Sequence, residues 1–339
     1  MKAIVLTKTG SAKTAFELRE LPKPSFGDDE VLIRVKITGL NFADVMARKG
    51  MYKEAPPLPS VLGYDVSGTV EGIGKNVSNV AIGDEVVALT RFGGYAEFVV
   101  CNELSVAKIP QNINIAAATA LATQYCTAWF CAADRVNLYE GDSVLIHAAA
   151  GGVGTALTQF AIHKKCIVFA TAGSDKKINL LLKIGVNYAI NYRKENFSEI
   201  IMDKTSGKGV NVIFDAVGGK SVKQGIKILS AGGRMVCYGA SEMSNSSSFL
   251  HQLKTGLAFG FYNPGLLTLA CKSIIGVNML KIADNYPIVI KRCLDEVCKL
   301  AEQRVFSPVL EKAFKVSEIA DAHEYLESRE SIGKVVLEW

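Results

Sequence analysis

Hydrophobic and polar positions divide the chain into two regimes. Over roughly its first third, short β-branched runs at 31–37, 68–71, 85–89 and 95–100 are broken by Gly, Asn and Asp, a spacing that predicts a barrel-like β domain. After about residue 116, near-continuous apolar runs at 143–148, 166–170, 188–191, 210–214, 234–238 and 273–277 alternate with helical patterns. Strands apolar on both faces and separated by helices predict a parallel sheet covered on each side. The tail reads strand, helix (316–326) and strand (334–337), and is expected to return to the first domain. The expected division is therefore 1–120, completed by 304–339, against 121–303.

One further pattern stands apart. Leu250, Leu253, Leu257 and Phe261 recur at helical spacing within a segment, 249–267, that also holds Phe249, Phe259, Tyr262, Leu266 and Leu267. Such a stripe predicts burial, as a lid or a dimer contact, or else a weak contact with lipid or a membrane surface, with Lys254 and His251 on the polar side. The preceding 244–248 reads as a short polar turn, and no internal repeat is visible.

Composition narrows the classes. With 339 residues, 49% hydrophobic and 21% charged, the chain has material for two cores and too little charge for a disordered protein. A net charge of +5 with scattered basic residues excludes an obvious nucleic-acid stripe. Eight cysteines lie mostly in apolar runs with no CxxC pair, which predicts buried thiols in a reducing compartment. The opening Met1-Lys2-Ala3-Ile4-Val5-Leu6 reads as a strand and not as a signal peptide, so a cytoplasmic protein is expected.

Chemistry enters after the first parallel run. Ala149-Ala150-Gly151-Gly152-Val153-Gly154, followed by an apolar-periodic helix, is a dinucleotide fingerprint with Ala at its first glycine position. Glycines there let the backbone approach a pyrophosphate at a helix N-terminus, where N–H groups and the helix dipole favour an anion. About twenty residues further on, where NAD enzymes place an acid for the ribose, the second run ends in Ala172-Gly173-Ser174-Asp175-Lys176-Lys177. Asp175 reads as helix N-cap chemistry, whereas Lys177, with Tyr192 after the third run, offers a pocket for a 2′-phosphate. NADPH is the expected cofactor. His147 and His163 flank the loop and read as packing residues.

Taken together, 39–44 (Gly-Leu-Asn-Phe-Ala-Asp), 62–68 (Leu-Gly-Tyr-Asp-Val-Ser-Gly), Gly83-Asp84-Glu85, 93–97 (Gly-Gly-Tyr-Ala-Glu), the phosphate loop and the closing Gly333-Lys334-Val335-Val336-Leu337 resemble the medium-chain dehydrogenase/reductase superfamily. The likeness runs in order along the whole chain. Within the superfamily it resembles the zinc-free quinone oxidoreductases, and 41–52 is especially similar to the vesicle amine transport protein branch. The resemblance implies a GroES-like β-barrel catalytic domain, a Rossmann doubly wound cofactor domain and a homodimer joined at cofactor-domain sheet edges. It also implies nicotinamide contacts from Thr127, from the loops holding Tyr238 and Gly239, and from Gly276, Val277 and Asn278.

Zinc-dependent members of that superfamily hold their metal at positions that match Asn41, Tyr64 and Thr123 here, with Asp65 nearby. Amide and phenol are poor zinc ligands, so no metal is expected. Without a Lewis acid, reduction of an already electrophilic quinone or α,β-unsaturated carbonyl is the favoured chemistry, with Asn41, Tyr52 and Tyr64 as candidate donors to the developing oxyanion. Met46 stands where several quinone reductases carry Tyr. The alternative class is an NADPH-binding protein whose main role is lipid or membrane-surface binding.

Overall fold

The structure, a computed structural model, describes residues 1–245 and 249–339, with the side chains of 245 and 249–252 outside the description. It resolves into two compact units, residues 1–126 with 279–339, and residues 127–278. This shifts the expected boundary: 121–126 and 279–303 pack with the first unit. The helix Pro287–Glu302 buries Ile290, Cys293, Leu294, Val297, Leu300 and Ala301 against the turn Glu103–Ser105 and the strand Val106–Lys108. Its periodicity announces one buried face. Periodicity alone does not say which sheet that face covers.

In the second unit six strands form one wholly parallel sheet in the spatial order Tyr188–Asn191, Ile167–Ala172, Ser143–Ile146, Val210–Asp215, Leu229–Cys237, Ser273–Gly276. Numbered along the unit, that order is 3-2-1-4-5-6, the Rossmann arrangement, whose ligand crevice opens at the carboxyl ends of strands 1 and 4. The central strands are apolar on both faces: Val144, Leu145, Ile146, Val212, Ile213 and Phe214 are fully buried. All six expected runs are strands.

The apolar segment is not covered within the chain at its described positions. The helix Phe249–Ala258 ends before Gly260, whose φ of +90° lies in the left-handed region, so Phe261 falls outside it. Leu253, Leu257, Phe261, Leu266 and Leu269 are all exposed, Phe261 at 88%, so the stripe is not buried within the chain. The side chains of Phe249, Leu250 and His251, and residues 246–248 of the polar turn, lie outside the described residues. No helix among the described residues is long and apolar enough to cross a membrane. Cys271, expected inside, is exposed, while Cys101, Cys126, Cys131, Cys166 and Cys293 are buried.

The first unit is organised around the strand Glu30–Leu40, which pairs antiparallel with Asp65–Ile73, Phe98–Asn102 and Lys334–Glu338. The last pairing brings the tail home, as the sequence predicts. The run at 95–100 enters this sheet as a strand only from Phe98, because 95–97 bridge instead to Lys2–Leu6, with Ala96 opposite Ala3, while Tyr95 N–H donates to the Leu62 carbonyl. A three-stranded sheet, Phe16–Glu20, Lys2–Leu6 and Ser60–Val61, lies beside it.

Where these strands meet, charge is buried. Lys334 Nζ donates to Asp65 Oδ2 at 2.6 Å and to Asn41 Oδ1 at 3.1 Å, and Asn41 Nδ2 donates to Asp65 Oδ1 at 3.0 Å. Lys334 and Asp65 are wholly inaccessible. Gly39 makes room for them, since a Cβ there would lie 2.2 Å from Asp65 Oδ1 and 2.4 Å from Lys334 Cε. Asp44 accepts from the Asn41 and Gly63 N–H groups, and burial pushes its carboxyl up to about 7. His323 meets Tyr95 Oη at 3.2 Å, and burial, with Arg48 nearby, drives its imidazole down to about 3.

Two outcomes follow from this interior. Lys334→Met leaves the Asp65 carboxylate buried and unpaired and is expected to cost about 3–5 kcal/mol in urea unfolding, with Asp65→Asn plus Lys334→Met losing less than the sum of the single changes. The second concerns acid. On unfolding, His323 regains its ordinary value of 6.5 and takes up a proton below it, which favours unfolding as pH falls. Asp44, protonated in the fold up to about 7 but only to 3.8 when unfolded, releases a proton on unfolding and so favours folding over the same range. The two oppose each other between about pH 4 and 6.5. His323→Gln removes one of them, so its stability relative to wild type should rise by up to about 1.4 kcal/mol per pH unit of acidification, read from urea midpoints.

Candidate active site

The phosphate loop sits where the second unit's topology reverses. Ile146 pairs with Ala170 on one side and with Phe214 on the other, and the chain then turns at Ala148, whose φ is +51°. Ala149 N–H donates to the Thr171 carbonyl, and the helix Gly152–His163 starts from an extended Gly151 with no side chain capping it. An N-terminus left without a side-chain cap aims its first N–H groups and its dipole at an incoming anion. Gly154 is demanded by packing, since a Cβ would fall 2.3 Å from the Ala148 carbonyl oxygen, so helix and turn close tightly there. Ala149 at the first glycine position is fully buried against this turn.

At the end of the second strand, Gly173 is covered by Tyr192, whose hydroxyl would be 2.5 Å from a Cβ, and by Arg193 Nε, 3.4 Å from the same point. Lys177 lies in the first turn of the adjoining helix Asp175–Ile184. The N-cap position belongs to Ser174, whose side chain makes no cap bond, so the reading of Asp175 as the cap is corrected. Asp175 accepts from Asn191 Nδ2 at 2.9 Å and pairs with Lys194 Nζ at 2.7 Å; this pairing lowers its pKa at an exposed position. Arg193 and Lys194 were missed by sequence reasoning. The signal was the run Tyr192-Arg193-Lys194 at the end of the third strand.

The remaining cofactor candidates follow the carboxyl ends of parallel strands. Tyr238 N–H donates to the Asp215 carbonyl, Val277 N–H donates to the Cys237 carbonyl, and Gly239 lies so close to Ala216 that a Cβ would be 2.8 Å from its oxygen. Asp215 is a loop former: its carboxylate accepts from Val217 N, Gly218 N and Ser221 Oγ at 2.6–2.8 Å. Gly276 ends the edge strand Ser273–Gly276, with Val277 and Asn278 just beyond it, and Thr127 is buried in the helix Cys126–Trp129. His147 is core, bonded through Nδ1 to Thr171 and packed edge-on to Phe197, while His163 is exposed.

In the first unit, Tyr64 is 3% exposed, and its buried hydroxyl interacts with the Tyr52 hydroxyl and with no other side chain. Gly63, at φ +97° and hard against Tyr95 and Gly94, sets its direction. The Tyr52 ring stands edge-on to it with centroids 6.2 Å apart, and the Phe92 ring lies at 5.0 Å. Burial lifts the Tyr64 phenol far above its ordinary range and Tyr52 to about 12. Both therefore remain neutral O–H donors at neutral pH. Asn41 is different: its amide donates one N–H to Asp65 and accepts from Lys334, so it is tied into the buried ion network.

Comparison with known proteins places this geometry. Residues 27–111 match the alcohol dehydrogenase GroES-like domain, and 152–294 match the zinc-binding dehydrogenase family. The synaptic vesicle membrane protein VAT-1 homolog of Danio rerio is 32% identical over 99% of this chain and 69% of its own length. Among solved structures, Escherichia coli quinone oxidoreductase complexed with NADPH superposes with a TM-score of 0.87 at 26% identity over all of both chains. CurK enoyl reductase gives 0.87 at 26%, covering 99% of this chain and 98% of that one. An NAD-dependent alcohol dehydrogenase gives 0.84 at 30% over all of both chains. With its GroES-like unit, its Rossmann sheet and these relatives, the chain is an oxidoreductase of the medium-chain dehydrogenase/reductase superfamily, of the quinone oxidoreductase type and close to the VAT-1 homologues.

Proposed function

We propose that the chain is a zinc-independent, NADPH-dependent reductase that delivers hydride to a quinone or an α,β-unsaturated carbonyl. The observation that carries the chemistry is the buried Tyr64 hydroxyl beside that of Tyr52, a neutral donor fixed in an aromatic setting. Such a donor strengthens its bond as negative charge grows on an acceptor oxygen, with no reorganisation at the moment of reaction. Tyr52 is the second donor. NADPH, when bound, supplies the hydride. The chain's own residues would hold its pyrophosphate at the N-terminus of Gly152–His163, and Gly173, Lys177, Tyr192 and Arg193 would hold the 2′-phosphate.

Zinc does not fit the residues at the superfamily's ligand positions. The Asn41 amide and the Asp65 carboxylate are committed to the Lys334 ammonium, and a cation seated there repels a second one. Tyr64 offers a phenol whose deprotonation is strongly disfavoured. Among the described residues no cluster of three His, Cys, Asp or Glu side chains suits a metal.

The reading includes a homodimer joined at the strand Ser273–Gly276. That strand is the sheet's outer edge, and Leu266 and Leu269 just before it are exposed at 67% and 86%. A cytoplasmic setting is supported by eight free cysteines. The exposed leucines also favour the second reading, an NADPH-binding protein at a membrane surface, and liposome association without turnover would select it.

Purified protein with no stoichiometric zinc by elemental analysis is expected to oxidise NADPH with quinones or enones. Tyr64→Phe should lower kcat by about a hundredfold or more while leaving NADPH affinity in place. Lys177→Ala should weaken NADPH by about tenfold or more without a matching loss for NADH, measured by fluorescence titration, because a charge-assisted bond to the 2′-phosphate is worth about 1.5–3 kcal/mol. Equal loss for both coenzymes would remove the 2′-phosphate assignment.

A further inference from the structure

Ile146 lies opposite Ala170 on one neighbouring strand and opposite Phe214 on the other. The next residues along the three strands, Thr171, His147 and Asp215, therefore stand abreast at their carboxyl ends, and all three are buried. His147 Nδ1 meets Thr171 Oγ1 at 3.0 Å, and its ring stands edge-on to Phe197. Its Nε2 is buried with no hydrogen-bond partner among the described residues. Asp215 supplies none, because its carboxylate accepts from Val217 N, Gly218 N and Ser221 Oγ. Burial lowers the pKa of the imidazole, against the pull of Asp215, and so keeps the ring neutral. An apolar side chain would fill this place without leaving a polar nitrogen unmet, so the ring is paid for by the one bond it makes.

That bond ends on a residue that acts twice. Thr171 holds His147 through its hydroxyl, and its carbonyl accepts from Ala149 N–H at 3.0 Å. Between the two anchored residues lies Ala148, at a φ of +51° that a residue with a Cβ seldom adopts. Thr171 thus grips the chain on both sides of the strained residue. Such strain persists only where the surroundings over-determine it. The Ala148 carbonyl in turn accepts from Gly151 N–H at 2.9 Å, and Gly154 packs against the same oxygen. The orientation of Ala148 therefore sets where the helix Gly152–His163 begins.

We infer that His147 is a positioning residue for the coenzyme: its bond to Thr171 is a clasp that holds the phosphate loop in the one conformation that points the first N–H groups of Gly152–His163 at the pyrophosphate. The inference rests on the NADPH reading above and deepens it by assigning the residue that shapes the loop. His147 touches no phosphate itself. It acts through Thr171 and Ala148.

The test uses His147→Leu, Thr171→Val and the double variant, which delete the clasp, and His147→Asn, whose amide can replace Nδ1. The two deletions attack one bond from different strands, so either that folds decides the question. NADPH affinity is read by fluorescence titration, and amide hydrogen exchange of the unliganded protein by mass spectrometry. Each deletion is expected to weaken NADPH by about threefold to tenfold, the range of one hydrogen bond, and the double variant no further. Exchange should quicken over 148–156 and not in the strand Ser143–Ile146, and His147→Asn should stay near wild type in both readouts. Faster exchange without loss of affinity would make His147 a packing residue and overturn the inference, as would unchanged behaviour, losses that add, or faster exchange throughout the sheet. In each of those cases wild type still binds NADPH and the coenzyme reading stands. If wild type binds no NADPH, that reading falls and takes the inference with it.

Discussion

The first unit depends on a charge that water never reaches. Lys334 arrives on the last strand, Asp65 on the strand at the centre of the same sheet and Asn41 at the end of the long strand Glu30–Leu40, so one ammonium ties three distant stretches together. Removing such a pair from water costs several kcal/mol per ion, which is regained only if every remaining polar atom is met. Here the Asn41 amide supplies both a donor and an acceptor. The result is a fixed register. Leu40 pairs with Val335 and Gly39 with both Asp65 and Val336, and any slip would leave the charges unmatched.

This interior also shapes the reactive face. Asn41 begins the helix Phe42–Arg48, and Asp44 in its first turn accepts from Gly63, the residue that directs Tyr64. The same carboxylate raises the Tyr64 phenol further, although burial is the larger cause. Burial, more than either neighbour, raises both the acid and the phenol. Of the four positions that the resemblance matches to zinc ligands, Asn41 and Asp65 are bound to the internal Lys334 ammonium and Tyr64 presents a buried phenol.

The second unit works by backbone. Its candidate anion site is a helix terminus without a side-chain cap, made accessible by glycine, and the side chains proposed to meet a ribose phosphate stand at the ends of two neighbouring strands. Lys177 was visible in the sequence because it occupies the place where an acid would serve NAD. Arg193 was not, because only the pairing of Ala172 with Asn191 sets its position over Gly173.

Local pattern sufficed for much of this protein. The six parallel strands, the phosphate loop and the returning tail are written in periodicity and glycine placement, because a strand buried on both faces needs an apolar run and a pyrophosphate needs bare backbone. Periodicity names a buried face without naming its partner, so the helix Pro287–Glu302 was expected in the other unit, and the stripe, exposed at 253, 257 and 261, was left open between lid, dimer contact and lipid contact. Hydrogen-bond commitment was invisible for the same reason. Asn41 and Tyr64 looked alike as donors, and only the arrival of Lys334 from the far end of the chain draws the Asn41 amide into an ion network that Tyr64 does not join.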